Sequence, residues 1–217
     1  MVRLTPCEGG FDLALAGRAV LRQRPNSPVI SVASGNPDVT MVRGNFRLSD
    51  TPVAARPLSA CEVVGDGAVV LSSADGAAKV ALSLAPDASR LTVAALTRHD
   101  RITLDVALAP DDVLWGGGEQ MSYLALNGRA FPMWTSEPGV GRDKSTALTR
   151  LMDETGMAGG DYWNTNYPQP TFLTSRWLAV HCTAECYSVL DFTDPSRHAV
   201  EVWSPRTVFE LYAEDCP

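Results

Sequence analysis

The sequence predicts an all-β fold, an antiparallel β-sandwich. Apolar and polar residues alternate with period two along most of the chain, as in Phe11-Asp12-Leu13-Ala14-Leu15. Such alternation marks half-buried strands rather than helices. Clusters of Gly, Asp, Asn and Pro interrupt these runs about every 10 residues, the spacing of a sandwich or barrel. No segment carries a clear apolar stripe of helical period.

Taken in order, Gly17 turns the first run back into Ala19-Val20-Leu21, and Pro25, Asn26, Ser27 and Pro28 punctuate before residues 29–33. Ser34-Gly35-Asn36-Pro37 is a turn cluster. It leads into an alternating register that sets Val39, Met41, Arg43, Asn45 and Arg47 against Thr40, Val42, Gly44, Phe46 and Leu48. Further strands are expected over residues 60–64, 69–72, 79–84, 90–96 and 101–107. Between them stand Gly65-Asp66-Gly67 and Asp75-Gly76, the Asp-Gly pairs of tight hairpins. Beyond residue 171 strands resume over 172–174, 176–182, 186–192, 199–203 and 208–212. There is no internal repeat, low-complexity tract or linker, so residues 1–217 read as a single β-sandwich domain.

Residues 114–171 depart from this pattern. They hold Trp115, Trp134 and Trp163 together with Tyr123, Tyr162 and Tyr167. Gly116, Gly117 and Gly118 precede Glu119, and Gly159-Gly160 precede Asp161-Tyr162-Trp163. The polar segment between, with Glu137, Arg142, Asp143 and Lys144, contains no strand-like stretch; its best helix candidate is residues 144–152. Loops longer than about 12–15 residues inside a domain are usually functional or disordered. Disordered ones are poor in aromatics, so residues 134–168 are expected to form an ordered excursion. Aromatic faces beside carboxylates and a guanidinium suit a sugar, whose C–H face stacks on rings while its hydroxyls take charged partners. The competing reading is that these rings fill a core, as aromatics commonly do.

At these residues the chain resembles glycoside hydrolase family 31, and within it the sulfoquinovosidase branch. Trp115-Gly116-Gly117-Gly118-Glu119 matches that family's aromatic-Gly-x-Gly-Glu signature, and Phe131-Pro132-Met133-Trp134 its following strand and aromatic-Pro turn. Tyr167-Pro168-Gln169-Pro170-Thr171-Phe172 matches its Tyr-x-x-Pro-x-Phe element. The segment from Trp134 through Ser136-Glu137-Pro138 to Arg142, and Gly159-Gly160-Asp161-Tyr162, are similar to the sulfoquinovosidase branch rather than to general α-glucosidases. The motifs span residues 113–174; residues 1–112 fit by pattern only.

The resemblance implies a galactose mutarotase-like N-terminal sandwich whose last strand hands over to a catalytic (β/α)₈ barrel, which these 217 residues do not contain. A retaining glycosidase needs two carboxyl groups about 5–5.5 Å apart. In the family these are barrel residues, so no residue here is assigned a catalytic role. The long loop is expected to lean over the barrel mouth, with Glu137 and Arg142 reaching the sugar or sulfosugar and Asp161 and Tyr167 as weaker candidates. For Glu137 and Arg142 the rival is a salt bridge within the loop. Asp161 has a turn role and Tyr167 core packing as rivals, and Glu119 is expected to tie the loop backbone. Without the barrel, residues 137–153 are expected to be poorly anchored and Trp134 to lack its cover. Two other identities stay open: a stand-alone carbohydrate-binding or mutarotase-like domain, and the N-terminal domain of a general α-glucosidase.

Composition narrows the rest. A chain of 217 residues with 45% hydrophobic and 20% charged residues is long enough to bury a full core without staples. A net charge of −7 argues against nucleic acid, which needs a basic face, and against an anionic membrane surface. No apolar run reaches the roughly 18 residues of a membrane span, and the N-terminus does not read as a signal peptide. Five irregularly spaced cysteines suit reduced thiols and a cytoplasmic location. His181, Cys182, Cys186 and His198 fit zinc spacing poorly, so neither metal nor cofactor is expected. Asp153-Glu154 and Glu214-Asp215 are adjacent on what read as strands, where neighbours point to opposite faces; they are read as solvated turn charges.

Overall fold

The computed structural model describes residues 2–42, 45–87 and 89–214. Strand accounts for 52% of the chain and helix for 5%, which makes the fold all-β. The first strands are β1 (Val2–Cys7), β2 (Gly10–Leu15), β3 (Arg18–Gln23) and β4 (Ile30–Ala33). Then come β5 (Asp38–Val42), β6 (Asn45–Ser49), β7 (Arg56–Pro57), β8 (Ala60–Gly65), β9 (Ala68–Ser72) and β10 (Lys79–Leu84). Next are β11 (Arg90–Ala95), β12 (Arg101–Val106), β13 (Leu114–Gly118), β14 (Ala130–Met133) and the helix α1 (Ala147–Gly156). The chain continues with β15 (Pro168–Thr174), β16 (Leu178–Cys182), β17 (Ser188–Asp194), β18 (Arg197–Val202) and β19 (Arg206–Ala213).

Two sheets make the sandwich. One has eight strands in the order β13-β15-β16-β19-β11-β10-β9-β8, the other six in the order β14-β17-β18-β12-β4-β7. Neighbouring strands in both pair antiparallel. Period-two patterning puts Leu91, Val180, Phe172 and Phe209 on the inner face of the first sheet. Ile30, Leu104, Leu190 and Val200 occupy the inner face of the second, and all belong to one buried cluster. Phe172 on β15 meets Phe192 on β17 edge-on across the gap, with ring centroids 5.1 Å apart, so the sheets interlock under the long loop. A separate three-stranded sheet, β1-β2-β3, buries Phe11, Leu13 and Leu21 in the same cluster.

Several features differ from the sequence expectation, the unmarked strands β7 and β13 among them. β1 was not expected; it pairs with β2 from Val2↔Leu15 to Cys7↔Gly10, and its mostly exposed side chains hide the alternation that marks a strand. The run over residues 39–48 divides into β5 and β6, a hairpin in which Val42 pairs with Asn45; Arg43 and Gly44 lie outside the described residues. β14 stands where the patterning marked no strand but the resemblance placed one, and its Phe131 and Met133 face the core. The helix starts three residues later than expected and extends to Gly156, because Thr146, not Lys144, caps it.

Candidate substrate-loop site

The loop begins at β13, where Gly116, Gly117 and Gly118 have φ of 126°, 74° and 80°, a region costly for residues with a Cβ. A Cβ on Gly116 would run into the Thr171 carbonyl, and one on Gly118 into that of Tyr167. The triplet thus lets β13 press against β15, with a register shift between Gly116 and Gly118. The Glu119 backbone is stitched to the far end of the loop: its N–H donates to the Tyr167 carbonyl at 2.9 Å and its carbonyl accepts from Thr165 Oγ1 at 2.5 Å. Its role is therefore backbone tethering, as expected.

The middle of the loop is held by a second glycine pair. Val140 N–H donates to the Ala158 carbonyl at 2.8 Å, and Gly160 N–H donates to the Val140 carbonyl at 2.9 Å. A side chain on Gly160 would meet the Gly139 and Gly141 carbonyls. Between these segments sits α1. Thr146 caps it, its hydroxyl accepting from Thr149 N–H, and Met157 ends it in the left-handed region at φ 50°. Asp153 on α1 pairs with Lys144 at 3.1 Å and more loosely with Arg47 of β6 at 3.8 Å. Asp153 and Glu154 thus stand on a helix rather than a strand, and Asp153 is a structural ion-pair member. Asp215 of the other adjacent pair lies outside the described residues.

Trp134, expected to await an outside surface, is packed within the domain. Its ring lies 5.4 Å from Phe46, 5.1 Å from Tyr187 and 6.3 Å from Trp163. The stack continues through Trp203, 4.6 Å from Tyr187, to the Arg101 guanidinium 3.8 Å above Trp203, itself clamped by Asp50. Burial pushes the Tyr187 phenol up to about 12, so it stays neutral. Tyr162 donates its hydroxyl to the Ala130 carbonyl at 2.6 Å and packs edge-on against Phe131 and Tyr123. Most rings of the excursion therefore do fill a local core.

The four expected site residues separate into two groups. Glu137 is exposed and has no hydrogen-bond or ion-pair partner among the described residues. The Arg142 guanidinium is half-buried, placed by the Asn164 carbonyl at 3.5 Å and Met121 Sδ at 3.6 Å. It pairs with no carboxylate among the described residues, so the expected rival, a Glu137–Arg142 bridge, is not formed. Asp161 does what its turn reading anticipates: its carboxylate accepts from Tyr162 N–H at 2.8 Å. Tyr167 is 60% exposed, which rules out core packing, and its hydroxyl accepts from Gln169 Nε2 at 3.3 Å.

What gathers these residues is Asn164, which sequence reasoning did not single out. It is 4% exposed; its Nδ2 donates to Ser136 Oγ at 2.7 Å and its Oδ1 accepts from Asp161 N–H. Its carbonyl meets Arg142, and Ser136 N–H donates to the neighbouring Thr165 carbonyl at 3.0 Å. The Asn164 side-chain amide thus fixes Ser136, the residue before Glu137, and the backbone of Asp161, while its backbone carbonyl meets the Arg142 guanidinium. The partly open space beside it, between Phe46, Lys144, Asp153 and Trp163, is about 50 Å³. That volume suits a water or two, whose share of liquid is about 30 Å³ each, and not a sugar. Glu137 and Arg142 are presented outward.

The imagined zinc residues are engaged separately. His181 Nδ1 is 2.7 Å from Thr171 Oγ1, Cys182 Sγ is 3.2 Å from Thr207 Oγ1, and His198 lies against Phe192.

No protein-family model matches the chain. Its curated relatives include a sulfoquinovosidase of Agrobacterium fabrum, 45% identical over 207 residues, covering 95% of this chain and 31% of the relative. The sulfoquinovosidase of Escherichia coli K12 is 35% identical over 211 residues, covering 94% and 31%. Among solved structures, a family 31 sulfoquinovosidase from E. rectale, in complex with an aza-sugar inhibitor, superposes over 98% of this chain. The TM-score is 0.80 at 33% identity, and the match covers 32% of that chain. Over nearly its whole length the chain is thus similar to one region of sulfoquinovosidases of glycoside hydrolase family 31. It spans about a third of the length of these relatives. No helix among the described residues is long and apolar enough to cross a membrane.

Proposed function

We propose that this chain is the scaffold and substrate-loop domain of a retaining α-sulfoquinovosidase, whose two catalytic carboxyl groups are carried by a barrel domain elsewhere in the same polypeptide. The observation that carries this reading is the loop itself. Asn164 bonds Ser136, next to the exposed Glu137, through its side chain and the Arg142 guanidinium through its backbone carbonyl, and neither Glu137 nor Arg142 has an ionic partner among the described residues. Glu137 is the acceptor for sugar hydroxyls. Arg142 is a planar fork for a hydroxyl, a carboxylate or the anionic part of the substrate. Asp161 shapes the turn that carries Asn164, and Tyr167 offers an exposed ring at the loop's exit. In this role the domain contributes orientation and binding energy, which raises the rate insofar as the contacts tighten in the transition state. Cys7, Cys61, Cys182 and Cys186 are all unpaired thiols, which supports a reducing, cytoplasmic setting; Cys216 lies outside the described residues.

The test uses the polypeptide extended along its own reading frame to the length of the relatives. Glu137→Ala and Arg142→Ala should each lower kcat/KM for an aryl α-sulfoquinovoside by about 10- to 100-fold, the value of a hydrogen bond to a charged group. The 217-residue chain alone should release no aryl alcohol above buffer. Equal turnover of variant and parent would remove the loop from the site. A preference for aryl α-glucoside over the sulfosugar would move the protein to the general α-glucosidases.

A further inference from the structure

A cavity of about 500 Å³ opens where β3, the segment after β12 and the turn between β15 and β16 meet. Its first wall is β3, whose pairing with β2 shifts by one residue between Leu21 and Ala19. The carbonyl of the extra residue, Val20, accepts from the Ala107 N–H at 2.8 Å, which seats residues 107–110 beside β3 as the second wall. Asp112 closes that wall: its Oδ2 accepts from Ala109 N–H at 2.8 Å and its Oδ1 from Ser175 Oγ at 3.3 Å. The third wall is the turn itself, where Thr174 Oγ1 accepts from the N–H groups of Arg176 and Leu178 at 3.2 and 3.3 Å.

Three guanidiniums line this space, Arg18 and Arg22 from β3 and Arg176 from the turn. The carboxylate among the lining residues, Asp112, is 4% exposed and neutralised by Arg176 Nε at 3.0 Å. Arg176 Nη2 also takes Asp111 at 2.6 Å. The other two arginines keep their charge. Arg18 spends Nη1 on the Glu214 carbonyl at 2.7 Å, a neutral acceptor. Arg22 has no hydrogen-bond or ion-pair partner among the described residues. Its cross-strand neighbour Asp12 is already taken by Arg24 at 2.7 Å. The chain has 25 acidic residues against 18 Lys and Arg, so carboxylates are in excess. Two uncompensated guanidiniums on one cavity therefore call for an anion from outside.

We infer that this cavity binds a small organic anion, a phosphate or sulfonate group carried on a polar body of about sugar size. An arginine presents a planar fork that bonds an oxyanion through two N–H groups at once. Arg18 keeps Nη2 and Nε for this, and Arg22 keeps all of its donors. Cavities of about 300–1,000 Å³ hold small molecules, so this one has room for a body behind the oxyanion. Ala19, Ala107, Leu108 and Pro110 offer that body apolar contact. The cavity is separate from the loop that carries Glu137 and Arg142. Thr174 on its wall and Pro168 beside Tyr167 are the two ends of β15, roughly 20 Å apart at about 3.3 Å per residue.

Titration calorimetry on the 217-residue chain tests this, with inorganic phosphate, glucose 6-phosphate, sulfoquinovose and neutral glucose as probes. At least one of the two anionic sugars should bind one to one with a Kd near or below about 1 mM, more tightly than inorganic phosphate or glucose. The preference between the two sugars distinguishes a phosphorylated metabolite from the sulfonated sugar. Arg22→Gln, an exposed substitution, should melt like the parent and weaken this binding about ten-fold, the value of a hydrogen bond to a charged group. Adding Arg18→Gln should weaken it further, and Arg142→Ala should leave it unchanged. Loss of binding on Arg142→Ala but not on Arg22→Gln would place the anion at the loop, overturning the inference and leaving the proposed function standing. Inorganic phosphate binding as tightly as either sugar would mean an adventitious ion only and overturn the ligand class. Neither binding heat nor a raised melting temperature with any probe would overturn the site. So would binding to the short chain that disappears in the extended protein, because the cavity would then be filled by the rest of the polypeptide. None of these readings requires hydrolysis, so the inference is decided independently of the glycosidase assay.

Discussion

Asn164 concentrates more of the loop's geometry than any residue the sequence flagged. Its side chain answers Ser136, 28 residues earlier, and Asp161, three residues earlier, from a buried position. Asn164→Ala would leave Ser136 Oγ and the Asp161 N–H short of a bond each, and unmade buried bonds cost about 1–3 kcal/mol. Urea unfolding of the short chain should show a loss of that size, and in the extended protein KM for the sulfosugar should rise as Ser136 and the Glu137 beside it lose their support, while the Arg142 contact to the backbone carbonyl of residue 164 is kept. Asn164→Asp keeps an acceptor for the Asp161 N–H and should do less harm. Glu137 and Arg142 could be singled out in the sequence as charged residues in an aromatic-rich loop. Asn164, Ser136 and Thr165 were not, because a small polar residue in a loop looks the same whether it is solvated or buried. A second residue-scale test is Asp75, whose carboxyl is held down to about 2 by the Ser73 hydroxyl first, then the Ala77 N–H and Arg56. A carboxyl depressed on folding stabilises above its unfolded value near 3.9, and that contribution is lost as pH falls through about 2. The difference in melting temperature between parent and Asp75→Asn should therefore be largest at neutral pH and shrink as pH drops from about 4 towards 2.

At the scale of elements, period-two patterning found most strands of both large sheets, because most have one buried and one wetter face, but not β7, β13 or β14. It missed β1, whose side chains are largely exposed. It also did not separate β5 from β6, a separate two-stranded hairpin with Val39 and Met41 exposed at 52% and 58%. There the physical signal, a buried side alternating with a wet one, is absent. The helix was placed nearly correctly, but its ends depend on capping. Thr146 answers Thr149 N–H, and Thr146→Ala should cost about 1 kcal/mol of helix stability. Within α1 the described burial falls on Thr149, while Leu148 and Leu151 are 59% and 50% exposed. Segments with few buried contacts open at little cost. Hydrogen exchange of the short chain should therefore be early over Ala147–Gly156 and slow over Leu178–Cys182 in β16. The segments on either side of α1 are pinned by the Val140–Gly159 bridge and by Asn164 and should exchange between these limits. The whole excursion is thus better anchored than its polar sequence suggested. Equal, slow exchange over α1 and β16 would mean that the sandwich alone holds the helix.

For the molecule as a whole, β15 shows which face of a sheet carries the stability. Phe172 points inward, fully buried against Phe192 of the opposite sheet. Leu173, the next residue, points outward beside Trp177. Truncating a buried Phe costs about 3–5 kcal/mol, a large part of the roughly 5–15 kcal/mol that holds a domain together. Phe172→Ala should accordingly lower the urea midpoint of the short chain and of the extended protein alike, since it loosens the contact between the two sheets in both. Leu173→Ala removes a side chain that is already half in water. Its cost in the short chain should stay within the roughly 0.5 kcal/mol typical of surface changes. Two neighbouring residues on one strand then report on two different boundaries. Phe172 reports on the seam inside the sandwich, and Leu173 on the outer face of the sheet. A Leu173→Ala loss in the short chain as large as that of Phe172→Ala would show that the outer face carries as much of the stability as the seam.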